Sequence, residues 1–142
     1  MAATKGLPTE MKFLLASATG KHFEAEVREV YIETDDGDIG VLPGHQPEFY
    51  SMGAGFAVWK DKEGREERKL IYNGYVQIEP DAVRIGAEEI YEPGEVQVEE
   101  IEKEVAGLKE KLSSLSEEEE ERRAEIEAEI KRKEALIRKA AR

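Results

Sequence analysis

Gly37-Asp38-Ile39-Gly40-Val41-Leu42-Pro43-Gly44-His45-Gln46-Pro47 is the stretch on which the reading of this chain turns. Asp35 and Asp36 lead into it, and a second glycine cluster, Gly53-Ala54-Gly55, follows. Its glycines permit positive φ or close backbone approach. Pro43 and Pro47 fix φ, remove an amide donor and push the preceding residue toward extended geometry. Ile39, Val41 and Leu42 inside that frame predict a short buried strand that ends in a stiff loop. The loop presents one histidine in a chain with almost no other candidate chemistry, which favours a shaped contact surface over an active site.

The strands on either side extend the β reading from Met11 to about Glu89. Lys12-Phe13-Leu14-Leu15-Ala16-Ser17 is a short apolar strand, with Thr19-Gly20-Lys21 as a turn. His22 to Val27 alternates with period two, and the alternation resumes at Val30 and Ile32 after a slip at Arg28-Glu29, the mark of a β-bulge. Phe56-Ala57-Val58-Trp59-Lys60 and Arg68-Lys69-Leu70-Ile71-Tyr72 flank Asp61-Lys62-Glu63-Gly64 as a hairpin. Tyr75 to Ile78, the turn Pro80-Asp81 and Val83 to Ile85 make another. About eight short strands predict an antiparallel sandwich or flattened barrel.

The texture changes at Tyr91-Glu92-Pro93-Gly94. Val98, Ile101, Val105, Leu108, Leu112 and Leu115 then recur every three or four residues, the stripe of an amphipathic helix. Ser113 to Ser116 breaks it, and Ser116 with Glu119 has the spacing of a capping box for a second helix. That helix carries Ile126, Ile130 and Ile137 beside small residues (Ala124, Ala128, Ala135, Ala140). Its thinner stripe predicts an antiparallel hairpin held partly by its own seam and partly by something else. The expected class is therefore α+β. Residues 1–10 form a loose tail, 11–92 the β-sandwich and 93–142 the helical hairpin. Glu117 to Glu121 open the second helix, and Arg122, Arg123, Lys131, Arg132, Lys133 and Arg138 follow. This gradient suits the helix dipole and equally a basic face for an acidic partner.

Composition narrows the function classes. The 142 residues carry a net charge of -12 and no cysteine. That excludes disulfides and thiolate metal sites and argues against nucleic-acid binding through an overall field. The two histidines, His22 and His45, lie far apart, and Asp35, Asp36 and Asp38 lack the spacing of a calcium loop, so no metal is expected. No apolar run approaches the ~20 residues that span a bilayer, and the N-terminus lacks a signal-peptide core. Trp59, Phe56, Tyr72 and Tyr75 read as core or sheet-face aromatics. Phe49, Tyr50 and Met52 either complete the sandwich or form an exposed apolar patch.

A β-domain built around Gly-x-x-Gly-x-Leu-Pro-Gly-His-x-Pro and followed by a two-helix tail resembles the epsilon subunit of the rotary F-type ATP synthase, whose mitochondrial counterpart is called delta. The likeness runs from Met11 to the C-terminus, and Gly37, Gly40, Leu42, Pro43, Gly44, His45 and Pro47 fall in register. It also places a turn at Tyr72-Asn73-Gly74-Tyr75. It implies a subunit with no active site and no cofactor. Its sandwich would join the gamma subunit of the central stalk to the c-ring and turn with them, coupling proton or sodium flow to ATP synthesis. Asp38 would approach the c-ring, and Gly40, Leu42, Pro43, Gly44, His45, Pro47 and Met52 would form the stalk and rotor interface.

In bacterial members the tail folds as a hairpin or extends toward the alpha and beta catalytic head and blocks ATP hydrolysis. Arg122, Arg123, Arg132, Lys133 and Arg138 are the residues that would make that contact. The strong stripe of the first helix fits a tail that stays folded. Some members bind ATP through an Ile/Leu-Asp-x-x-Arg-Ala motif; here Ile101-Glu102-Lys103-Glu104-Val105-Ala106 has Val105 at the arginine, so weak or no ATP binding is expected. Glu48 also interrupts the apolar run that usually follows Pro47. The implied place is the cytoplasmic face of a bacterial plasma membrane or the matrix side of a mitochondrial inner membrane, with no direct insertion. A free-standing sandwich adaptor that self-associates through its hairpin is the other reading of the same layout. A hydrolase would need a carboxylate pair that no spacing suggests.

Overall fold

The computed structural model describes residues 9–141; most of the expected tail at 1–10 lies outside them. Among the described residues there are six strands, β1 (Met11–Ser17), β2 (His22–Thr34), β3 (Gly37–Val41), β4 (Glu48–Asp61), β5 (Glu66–Glu79) and β6 (Ala82–Tyr91), then α1 (Val98–Ser114) and α2 (Glu120–Ala140). The strands follow the order β1-β6-β5-β4-β2-β3, and β1 also pairs with β2. Five strands thus close into a barrel, with β3 folded back on β2 as a free edge. The α+β class, sandwich first and helical hairpin second, is as expected.

Two features differ from the sequence reading. The strands are fewer and longer, because the glycine clusters taken as punctuation lie inside them. The Tyr72-Asn73-Gly74-Tyr75 segment is no turn but lies inside β5, which keeps its register on both flanks. Asn73 takes φ 50°, and the pairing with β4 passes from Met52↔Gly74 to Ala54↔Tyr72. Backbones crowd at these glycines. A Cβ at Gly74 would stand 2.6 Å from the Gly86 carbonyl oxygen, and one at Gly55 only 2.5 Å from that of Glu33. The second difference is that the sheet is not wholly antiparallel. β1 runs parallel to β6, with Phe13 opposite Val83, and this pairing closes the ring. The bulge expected at Arg28-Glu29 is present, as a register shift between Val27 and Glu29 where β2 leaves β1 for β4.

Inward positions of the strands build the core around Phe13, Leu15, Ile32, Trp59, Ile71 and Val83. Phe13 stacks on Trp59 with ring centroids 4.4 Å apart. Outward positions of β4 and β5 make a second layer. Phe56, Leu70 and Tyr72 receive Leu136 of α2, which is 1% exposed. Burying one leucine in this way contributes about 1.5–3 kcal/mol. It supplies the contact outside the hairpin that the thin stripe of α2 requires.

The hairpin has a seam of its own. Val105 of α1 packs on Ile126 and Ile130 of α2, with Leu108, Leu112, Leu115 and Ile137 beside them. α2 starts later than the capping-box spacing suggests. Its N-cap is Glu119, whose side chain makes no capping bond, and Ser116 only accepts the Glu119 N–H across a turn, at 3.2 Å. The turn is satisfied from the other side. Arg123 reaches back and donates Nη1–H to the Leu112 and Leu115 carbonyls, at 3.3 and 3.2 Å, closing the C-terminus of α1.

Candidate functional site

The loop between β3 and β4 is stiff for more reasons than its prolines. Gly44 adopts φ 87°, closed to most side chains, and donates its N–H to the Pro80 carbonyl at 2.8 Å. The loop is thereby tied to the β5–β6 turn. Inside it the His45 N–H donates to the Leu42 carbonyl at 3.1 Å. The His45 ring donates Nδ1–H to the Gln46 carbonyl at 2.8 Å, and its Nε2 lies 3.5 Å from the Glu48 carboxylate. Glu48, the residue that interrupts the apolar run after Pro47, is thus the partner of His45.

Around this loop stands an apolar surface. Phe49 is 65% exposed, Leu42 60% and Tyr75 49%. Phe49 and Tyr75 stack across β4 and β5 with centroids 5.6 Å apart and planes at 20°. The Tyr75 ring lies over Gly86, where a Cβ would come within 2.7 Å of its hydroxyl. Two aromatic faces held against the sheet at this exposure are unusual for a chain without a partner. Tyr75 was expected in the core or on a sheet face; it is on the outer face, at the centre of this patch. Leu42, expected to be buried with Ile39 and Val41, is also outside.

Met52 needs correction. It is 1% exposed and packs in the barrel core, so its thioether cannot touch a partner. The alternation of β4 carries the reason. From Glu48 onward, Phe49 and Ser51 face out while Tyr50 and Met52 face in.

Asp38 is exposed on β3 and accepts a hydrogen bond from the Tyr31 hydroxyl at 3.1 Å. Gly40 lies exposed on the same strand, opposite Tyr31. Asp35 is structural, accepting from Ser51 Oγ at 2.7 Å and the Gly53 N–H at 2.8 Å. Among the described residues no group of three or more His, Asp or Glu could hold a metal ion.

The basic residues of α2 are not one face. Arg122 and Arg138 are exposed, and Arg123 is committed to the helix turn. Arg132 lines a cleft of about 530 Å³ between α2 and the barrel, together with Lys131, Arg138 and Asp35. Lys133 covers the Tyr72 ring, 5.3 Å from its centroid, and pairs with Glu104 at 3.6 Å. Val105, at the position of the motif arginine, is a buried residue of the hairpin seam.

The larger cleft, about 770 Å³ at one mouth of the barrel, contains Lys69. This lysine is 6% exposed. Its Nζ lies 2.6 Å from Glu92 and 3.3 Å from Glu67, and 5.2 Å from the Phe23 ring. Burial works against its charge, but the Glu92 and Glu67 carboxylates outweigh it and hold its pKa above the ordinary lysine value. Its contribution to stability is therefore present below that ordinary value and lost only as pH rises through the folded value, in strongly alkaline solution. An ammonium held this firmly is not a nucleophile at neutral pH. The Asp61 and Glu89 carboxyls are both pushed below their ordinary values. Desolvation opposes the shift in each, and hydrogen bonds from backbone N–H groups overcome it. Neither is suited to proton donation.

The stiff loop and the aromatic patch belong to a chain with relatives of known name. Residues 10–93 match the model of the family described as "ATP synthase, Delta/Epsilon chain, beta-sandwich domain". The chain belongs to the ATP synthase delta/epsilon family. It is 28% identical over 111 residues to the ATP synthase epsilon chain of Maricaulis maris, covering 78% of this chain and 83% of that one. With the epsilon chain of Bacillus subtilis it shares 32% over 78 residues, 55% of this chain and 58% of the relative. The fold is similar to a chain of the Euglena gracilis mitochondrial ATP synthase solved with its c-ring, with TM-score 0.64 and 19% identity over 93% of this chain and 84% of that one. A chain from the central stalk and c-ring of the Tetrahymena thermophila enzyme aligns with TM-score 0.51 and 13% identity over 61% of this chain and 69% of that one.

Among the described residues no helix is long and apolar enough to cross a membrane. Of the patch, Phe49 is one of the residues that the sequence offered as an exposed apolar surface, whereas Tyr75, its stacking partner, is the part that motif reading missed. Glu33 on β2, 7% exposed, and Lys139 on α2 are also absent from it, although they join the two halves of the molecule.

Proposed function

We propose that this chain is a non-catalytic subunit of the central stalk of a rotary ATP synthase. Its barrel bridges the gamma stalk subunit and the c-ring, turns with them, and so helps couple ion flow to ATP synthesis at a membrane it does not enter. The observation that carries the reading is the exposed Phe49–Tyr75 stack beside the loop that Gly44 ties to Pro80. A pre-ordered apolar surface loses little entropy on docking and transmits torque without yielding. Leu42, Pro43, Gly44, His45 and Pro47 frame this stalk contact, with Gly40 at its edge. Asp38, on the free-edge strand, is assigned to the polar loops of the c-ring. Met52 serves the surface only by supporting β4 from inside.

Co-purification with the gamma subunit tests this. Phe49→Asp, at an exposed position, is expected to leave the fold intact and weaken one-to-one binding at least about a hundredfold, as for a central aromatic anchor. Unchanged binding, or self-association of the chain in place of binding, would remove the stalk assignment.

The hairpin is assigned a regulatory role, inhibiting ATP hydrolysis by the assembled enzyme through the cations of α2. Arg122 and Arg138 are available for this in the folded hairpin, whereas Arg123, Arg132 and Lys133 would first have to leave their present contacts. Deleting residues 116–142 is expected to raise hydrolysis by the reconstituted complex; an unchanged rate would exclude inhibition.

A further inference from the structure

Asn73 is the only asparagine of the chain, and Gly74 follows it. The pair has turn chemistry yet lies inside β5, which has a neighbour on each flank. Tyr72 and Gly74 are paired with Ala54 and Met52 of β4, and with Glu89 and Ala87 of β6. Asn73 takes φ 50° and stands across from Glu88, to whose carboxylate its Nδ2–H donates at 2.9 Å. Space is short there. A Cβ on Gly74 would lie 2.6 Å from the Gly86 carbonyl oxygen and 3.1 Å from Cγ2 of Ile71.

An asparagine followed by glycine is prone to spontaneous ring closure, because no Cβ on the glycine shields its nitrogen. The Gly74 nitrogen attacks Asn73 Cγ and gives up its proton, the Cγ–Nδ2 bond breaks, and ammonia leaves. Water then opens the succinimide. Cleaving the bond to Cγ yields aspartate, whereas cleaving the bond to the backbone carbonyl carbon leaves the chain running through Cγ, as isoaspartate. The sum is amide plus water to acid plus ammonia.

We propose that Asn73 is a deamidation site held shut by the fold, which reacts when the chain unfolds and marks that excursion irreversibly. Ring closure has to bring Cγ over the Gly74 nitrogen, and the peptide between them must rotate to allow it. Pairing on both flanks forbids that rotation, the crowding at Gly74 leaves no slack, and the bond to Glu88 draws the side-chain amide toward β6. Nor does β5 fray as an edge would, since it lies between β4 and β6. Either product spoils the site it came from. Aspartate loses the donor to Glu88 and sets a second carboxylate directly opposite it, a destabilising pair on a ladder. Isoaspartate adds a carbon to the backbone between Tyr72 and Gly74, so the pairings of those two residues cannot both be kept. Tyr75 is then displaced from Phe49, and a chain marked in this way cannot rebuild the stack.

The chemistry belongs to the chain alone and stands whether or not the stack docks the stalk. The purified protein is held at mildly alkaline pH, folded in buffer and unfolded in guanidinium chloride, and the amide-to-acid mass gain is followed on tryptic peptide 70–84. The unfolded chain is expected to react at least about a thousandfold faster, in keeping with the small unfolded fraction of a folded domain. Trp59→Ala in buffer should react faster than the parent in step with its larger unfolded fraction, and at the unfolded rate if it does not fold. After reaction and dilution from denaturant, isoaspartate at residue 73 should be confined to the chains that fail to refold. It is read on the same peptide, because Asp36-Gly37, in an exposed turn, can isomerise through the same kind of ring. Equal rates in the folded and unfolded chain, a Trp59→Ala rate that ignores its unfolded fraction, or isoaspartate at residue 73 in the refolded monomer would each overturn the proposal.

Discussion

Gly55→Val is expected to leave the barrel unable to form. Even a methyl group at this position would stand 2.5 Å from the Glu33 carbonyl oxygen and 3.0 Å from its Cβ. The obstacle is backbone, so no side chain can swing aside. Nor can β4 retreat, because Gly55 is paired with Ile71 on its other flank while Ala57 is paired with Ile32 two residues on. Moving the strand would part the Phe56 N–H from Glu33 and disturb the seat of Leu136 together. The loss should exceed about 3 kcal/mol, which is beyond ordinary overpacking and a large share of a small domain's stability. Thermal denaturation followed by circular dichroism measures it. A soluble Gly55→Val protein melting within about 5 °C of the parent would show that the two strands are not held as described.

Trp59→Ala comes next in size. The indole is 5% exposed, lies 4.4 Å from the Phe13 ring and 6.4 Å from that of Phe23, and forms part of the floor under Lys69. β2, β4 and β5 pair tightly around it, so the space cannot collapse, and a loss of about 3–5 kcal/mol is expected. Chemical denaturation with an unchanged slope would report it. A midpoint shift worth under about 1 kcal/mol would mean that the site repacks and is no keystone of the core.

The sequence discloses whatever is local. The period-two run from His22, the slip at Arg28, the Asp61–Gly64 hairpin and the stripe of α1 each depend on neighbours a few residues away. Misreadings cluster where a distant element sets the outcome. Asn73-Gly74 has turn chemistry, but partners on both sides of β5 keep the strand running past it in unbroken register. Glu33 follows an alternation that reads as solvent-facing, and only α2, far along the chain, buries it. Leu136 sits off the Ile126–Ile130 stripe and gains meaning only from Phe56, Leu70 and Tyr72. At the proposed contact site, the stiffness of the loop from Leu42 to Pro47 was legible because prolines and glycines act on their own backbone. The aromatic stack was not, since Phe49 and Tyr75 meet through the pairing of two strands. Met52 was recoverable: once β4 is taken to begin at Glu48, parity alone turns its side chain inward.

The parallel pairing of β1 with β6 also sets an order of events as the chain emerges during synthesis. Every other neighbouring pair of strands in the ring except β2 and β4 is joined by a short turn and can zip soon after it appears, as can the helical hairpin. Closure across Phe13 and Val83 cannot begin until the last strand exists, and a contact so distant in sequence is entropically slow to find. Until then β1 holds only its β2 edge, and the barrel stays an open, curled sheet whose inner aromatics meet water. The seam that finishes the fold is therefore also its slowest and most aggregation-exposed moment.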